Sequence, residues 1–126
     1  MRHFLKRVRD NDTGTTAVEF AMIAPVFVAL LIGTLTLCVG LLLVGSLHYA
    51  VEEGARCASI KTTICSDSAS TIAYAQSHYF GPSLSPSFTS NFAAPCGKSV
   101  TASISYSMNV GSRTLVIPIS ATSCFP

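Results

Sequence analysis

Between Phe20 and Leu47 the chain has no Asp, Glu, Lys, Arg or His, a run of 28 residues. As a helix that run rises about 42 Å, against about 30 Å for the hydrocarbon core of a bilayer. A chain of 126 residues holds one domain at most. Such a small domain cannot bury the run on all sides, which argues against a soluble core helix. The run is also too long for the apolar region of a cleaved secretory signal. Ala55 and Ala58 do follow it, but Glu52, Glu53 and Arg56 lie among them and spoil a small-x-small cut site. The absence of charge therefore predicts a retained membrane anchor.

Charge is scarce elsewhere too. Lys and Arg total 8, and four of them, Arg2, Lys6, Arg7 and Arg9, precede the run. The other four, Arg56, Lys61, Lys98 and Arg113, are scattered and balanced by Glu19, Glu52, Glu53 and Asp67. No clustered basic surface remains, which excludes a nucleic-acid partner. By the positive-inside rule the N-terminus is expected in the cytoplasm and the C-terminal segment outside it.

Groups for chemistry are equally few. After the run come only His48 and His78, with no G-x-S-x-G segment. An enzyme needs a positioned nucleophile and base, so neither catalysis nor a small-molecule substrate is expected, and no cofactor. Cys57, Cys65, Cys96 and Cys124 are spaced 8, 31 and 28 apart, unlike the close pairs of structural zinc sites, so no metal is expected either. Four cysteines in a small exported domain read instead as two disulfides. Cys38, inside the apolar run, reads as a small apolar residue.

What is present divides the chain into a basic cytoplasmic leader (1–14), a transmembrane helix (15–47) and a disulfide-stapled domain (48–126). The fold class expected is α+β: a long N-terminal helix, a second short helix and a C-terminal antiparallel hairpin. The long helix starts near Gly14 to Thr16, with Thr13 or Thr15 as cap. Pro25 should kink or locally open it. Leu47, Ala50, Val51, Gly54 and Ala58 continue one stripe past the membrane to about Ile60, and Glu52 and Arg56 form an i,i+4 pair opposite.

A second helix is predicted over Asp67 to Phe80, capped by Ser66 or Asp67 and ended by Gly81-Pro82. Ala69, Ile72, Ala73 and Phe80 form its apolar face, with Tyr79 at its edge and His78 left exposed. Residues 81–95, with three Pro and four Ser, read as an irregular linker. Val100, Ala102, Ile104, Tyr106 and Met108 then alternate with polar residues, as do Leu115, Ile117, Ile119 and Ala121 beyond the turn Asn109–Ser112. Pro118 demotes the second strand to an edge or marks a bulge. A hairpin centred on Val110–Gly111 brings Cys96 near Cys124, which leaves Cys57 for Cys65; four cysteines allow two other pairings.

The informative stretch is Gly14-Thr-Thr-Ala-Val-Glu-Phe20. A carboxylate in the first turns of a membrane helix is costly and is a functional candidate by default; its plainer reading is a boundary acid favoured by the helix dipole. Gly14, Glu19 and Phe20 after a basic leader resemble the prepilin-peptidase site of type IVb pilins. The longer match, T-A-V-E-F-A-M-I-A-P-V-F with the later A-V-E-E-G-A-R-C-A and A-T-S-C-F-P, resembles TadE-like proteins, small partners in Tad/Flp pilus assembly. The resemblance implies cleavage between Gly14 and Thr15, with Glu19 neutralising the ammonium freed at Thr15. It further implies a pseudopilin role at a bacterial inner membrane, with a prepilin peptidase, other pilins and Tad assembly proteins as partners and the domain in the periplasm. Ala17, Ala21 and Ala24 lie along one face, and Ala29 and Gly33 form a small-xxx-small pair, allowing close helix approach. The rival reading is an unprocessed single-pass scaffold; a third, a pore-forming peptide, fits poorly with a disulfide-bearing tail.

Overall fold

The computed structural model describes residues 13–110 and 112–126. The expected leader, apart from Thr13 and Gly14, lies outside them, as does Gly111 of the expected turn. Five elements follow in order: α1 (Thr13–Ile60), α2 (Ser68–Ser77), β1 (Ser87–Ala94), β2 (Gly97–Val110) and β3 (Arg113–Phe125). The strands form one antiparallel sheet in the order β1-β2-β3. The class is α+β, with a three-stranded meander where a two-stranded hairpin was expected.

The chain divides into two compact units, Met1–Val39 and Gly40–Pro126. In the first, the described residues are helical throughout and nearly all exposed, including Phe20, Ile23, Phe27 and Leu31. Helix α1 runs through Pro25 as one element. It is long and apolar enough to cross a membrane, and only 6% of its most apolar stretch is buried. A helix that served as a soluble core would be covered instead.

The second unit has a small core on the last turns of α1. Leu43, Leu47, Ala50, Val51, Gly54 and Ala58 are buried, extending the expected stripe N-terminally by one turn. Phe88, Val100, Ala102, Ile104 and Ala121 meet them from the sheet. Strand β2 is tied to α1 where it begins: Lys98 Nζ donates to the Ala58 carbonyl, and Val100 packs against Gly54. The Ser59 hydroxyl donates to the Phe125 carbonyl on β3.

Several expectations change here. Residues 81–95 are not all linker, because β1 lies within them and pairs with β2 from Ser87↔Ser103 to Ala94↔Gly97. Its prolines misled the reading: Pro86 and Pro95 flank the strand rather than interrupt it. Buried Phe88 anchors β1, and the Ser87 and Ser103 hydroxyls meet across the pair at 2.8 Å. Gly97 opens β2 at φ 113°, a conformation that suits only glycine.

Helix α2 is shorter than expected, ending at Ser77 with His78 as its C-cap. Asp67 is the N-cap: its Oδ1 accepts the Ser70 N–H at 2.8 Å, and the Ser70 hydroxyl accepts the Asp67 N–H. This is a capping box with Ser in the third position. The buried face is Thr71 and Ala75, flanked by Ile72 and Tyr79, whereas Ala69, Ala73 and Phe80 are exposed. Small residues win that face because the approach to α1 is close. The Thr71 hydroxyl is satisfied by the Asp67 carbonyl at 2.8 Å.

Strand β3 is an outer strand of the sheet, as Pro118 suggested. The innermost β2–β3 pair is Val110↔Arg113, so the hairpin is centred one residue later than expected. Past Ser103, β2 and β3 have no β1 beside them. There the alternation of β3 fails to produce burial: Leu115 and Ile117 are exposed, while Ile119 is half-buried and Ala121 buried.

Candidate functional site

The polar entrance of α1 is built from one local rule, the 3.6-residue turn. Thr15 and Glu19 are four residues apart in a continuous helix, so they share a face one turn apart, about 6 Å along the axis. Glu19 and Phe20 are both exposed. Gly14 is helical and open on all sides, with nothing within 4 Å of where its Cβ would be. Thr15 is an interior helical residue and so does not serve as the cap; the Thr13 side chain lies outside the described residues.

The small residues sit on this same uncovered helix. Ala17, Ala21, Pro25, Ala29 and Gly33 are exposed, and Ala24 is half-buried. Gly33 also has nothing within 4 Å of its Cβ position. Thr34 and Thr36 return their hydroxyls to the Leu30 and Gly33 carbonyls, so neither presents a loose donor to an apolar surrounding. Cys38 is a free, exposed thiol.

The domain's staples lie elsewhere. Cys57 at the end of α1 is bonded to Cys65, with Cα atoms 5.7 Å apart, and Cys96 to Cys124, with Cα atoms 6.1 Å apart. The second bridge does not join cross-strand partners. Cys124 lies opposite Ser99, and Cys96 reaches it from the β1–β2 turn. A Cβ on Gly97 would collide with the Phe125 carbonyl, so the glycine lets the two backbones approach.

Arg56 turns toward Glu53 rather than Glu52, at 4.0 Å, and its guanidinium lies 5.8 Å from the Phe125 ring centre. Sheet contact, absent from a helix considered alone, redirects that side chain. His78 is half-buried instead of exposed: its ring lies 4.3 Å from that of Tyr74, and its Nδ1 is 2.9 Å from the Tyr74 carbonyl. Lys61 Nζ donates to the Tyr74 hydroxyl, which raises the lysine pKa. Tyr79 is also shifted upward, chiefly by burial. Sequence reasoning missed the close stacking of Gly54 on Ala75 and of Gly81 on Ser46. The first had a signal in the small-residue stripe; the second had none.

Among the described residues no group of three or more His, Cys, Asp and Glu side chains could hold a metal ion. The arrangement presents a polar, one-acid entrance, an uncovered apolar helix and a stapled domain. Such a chain can insert and pack. No curated protein and no solved structure matches it. Residues 14–56, from the glycine of the entrance motif to Arg56 late in α1, match the family model described as TadE-like protein, and over that segment this chain is similar to TadE-like proteins.

Proposed function

We propose that the chain is a pilin-like, single-pass inner-membrane component of Tad pilus biogenesis, processed by a prepilin peptidase between Gly14 and Thr15. The leader 1–14 is cytoplasmic, residues 15–47 hold the membrane span, and the stapled domain 48–126 is periplasmic. The observation that carries this reading is that one family match, residues 14–56, takes in both the Gly14–Phe20 motif and the exposed apolar helix that follows it.

The physical logic lies in the entrance. Cleavage after Gly14 frees an ammonium on Thr15, one turn from the Glu19 carboxylate. Either group alone at the edge of lipid is costly. Together, on one chain or between neighbours sliding into register, they neutralise each other. Bundling with other pilins or pseudopilins is then favoured, and the small faces at Ala17, Ala21, Ala29 and Gly33 allow close approach. The role is structural: the chain is the peptidase's substrate and has no substrate of its own.

N-terminal sequencing of the protein isolated from native membranes tests the proposal. A chain beginning at Thr15 supports it. A chain beginning at Met1 in cells that still build pili overturns it in favour of an unprocessed scaffold.

A further inference from the structure

The unit Gly40–Pro126 carries on its own surface the last two turns of the uncharged run. Leu42, Ser46 and Tyr49 follow one stripe of α1 at i, i+4 and i+7. Leu42 is 48% and Tyr49 47% exposed, whereas Ser46 between them is fully buried. Its cover is the loop Tyr79–Leu84. A Cβ on Gly81 would come within 2.5 Å of both the Ser46 and Tyr79 hydroxyl oxygens, so this backbone lies directly on Ser46. Phe80, the neighbour of that glycine, is 60% exposed, with its ring 5.8 Å from that of Tyr49.

We infer that the loop Tyr79–Leu84 is a membrane-interface foot, which seats the domain on the headgroup and upper acyl region of the bilayer that α1 crosses. This rests on the reading of α1 as a membrane span and adds a second lipid contact by the same chain.

The depth agrees. Full burial on α1 begins at Leu43. From Phe20 to Leu42 the helix rises about 34 Å, close to the ~30 Å hydrocarbon core, whereas the whole run to Leu47 exceeds it at about 42 Å. The excess is the part the loop and the core cover. The bilayer boundary thus falls at Leu42 to Ser46, the level at which Gly81 meets the helix.

The chemistry of the surface also fits lipid. No Asp, Glu, Lys or Arg occurs in 40–49 or 79–85. Tyr49 and Tyr79 are of the ring type enriched at membrane–water interfaces, and the exposed Phe80 ring beside them is apolar. The polar groups beneath them are already satisfied: Ser46 donates to the Leu43 carbonyl at 3.0 Å, and Tyr79 to the Pro82 carbonyl at 2.8 Å. Entering a poorly hydrated layer leaves neither hydroxyl orphaned.

The chain has no tryptophan, so single reporters test the foot in the full-length protein. Phe80→Trp, Leu30→Trp and Ile64→Trp are reconstituted separately in vesicles of phosphatidylethanolamine and phosphatidylglycerol. Part of the lipid is brominated, either just below the headgroup or deep in the acyl chain. Ile64 follows α1, whose last residue, Ile60, lies about 27 Å along the helix from Leu42. The foot predicts loss of Phe80→Trp emission with shallow bromine, loss of Leu30→Trp emission with deep bromine, and none for Ile64→Trp. Quenching of Leu30→Trp while Phe80→Trp behaves like Ile64→Trp overturns the foot and leaves the span intact. An unquenched Leu30→Trp overturns the span and the foot with it. If Phe80→Trp is hidden from both bromolipid and aqueous acrylamide, a protein surface covers the loop, and the foot is equally overturned.

Discussion

Gly54 of α1 and Ala75 of α2 are so close that a Cβ built on the glycine would lie 2.9 Å from the Ala75 Cβ, with Val100 at 3.4 Å beyond it. Replacing this glycine sets two effects against each other. Alanine gains about 1 kcal/mol of helix propensity, but its methyl forces α2 away from α1. Valine adds two further methyls with no space for them. Gly54→Val is expected to destabilise the domain by about 1–3 kcal/mol through overpacking. Denaturant unfolding of the micelle-bound protein measures it; wild-type stability would show that the interface opens at no cost.

The two disulfides should contribute unequally. In the chain-entropy account, a bridge across a separation of 28 residues restrains the unfolded state more than one across 8, by about 1 kcal/mol. Cys96→Ser with Cys124→Ser should therefore cost more than Cys57→Ser with Cys65→Ser, the larger loss being about 2–4 kcal/mol. Limited proteolysis ranks the pairs. Full protease resistance without the Cys96–Cys124 bridge would mean that the sheet holds unaided.

Acid should fray α2. The Asp67 carboxyl is held below its ordinary range, first by the backbone N–H of Ser70 and then by the Ser70 hydroxyl. A depressed carboxylate contributes stability that is fully present above its unfolded pKa and disappears as pH falls through the folded one. Amide exchange at Ser70 and Thr71 should stay slow at neutral pH and accelerate in acid below the normal Asp range. Asp67→Asn keeps a good capping residue and should flatten that dependence. An unchanged acid response in the variant would place the titrating group elsewhere.

At the entrance of α1, Gly14→Leu should block processing, visible as a mature band that fails to appear beside the wild type. Glu19→Ala should insert at least as well, since an acid near the membrane has been removed, yet support fewer pili. Normal piliation by the alanine variant, counted by electron microscopy, would remove the pairing role argued for Glu19.

The course of helix α1 to its end at Ile60 was readable in sequence, because an uncharged run and a 3.6-residue stripe are local signals. The buried stripe Leu47, Ala50, Val51, Gly54 and Ala58 needed no partner to be recognised. Strand β1 was not readable, because Ser87–Ala94 lacks a period-two alternation, lies between Pro86 and Pro95, and becomes a strand only by pairing with β2. The face of α2 failed for a related reason. Counting apolar residues favours Ala69 and Ala73, but the packing distance to Gly54 selects Ala75 and Thr71. Arg56 leaves Glu52 for Glu53 and Phe125 because a strand distant in sequence lies beside it. At the entrance, the shared face of Thr15 and Glu19 is a matter of helical spacing, whereas the cover of Gly81 over Ser46 required three dimensions.

Pro118 carries a consequence for how copies of the chain can meet. It stands on an outer strand without an amide hydrogen. The free margin of β3 is thereby divided into two short stretches, Arg113–Ile117 and Ile119–Phe125, and neither offers a long template for another strand. Strand-to-strand pairing of copies through β3 is therefore disfavoured even where many copies crowd together.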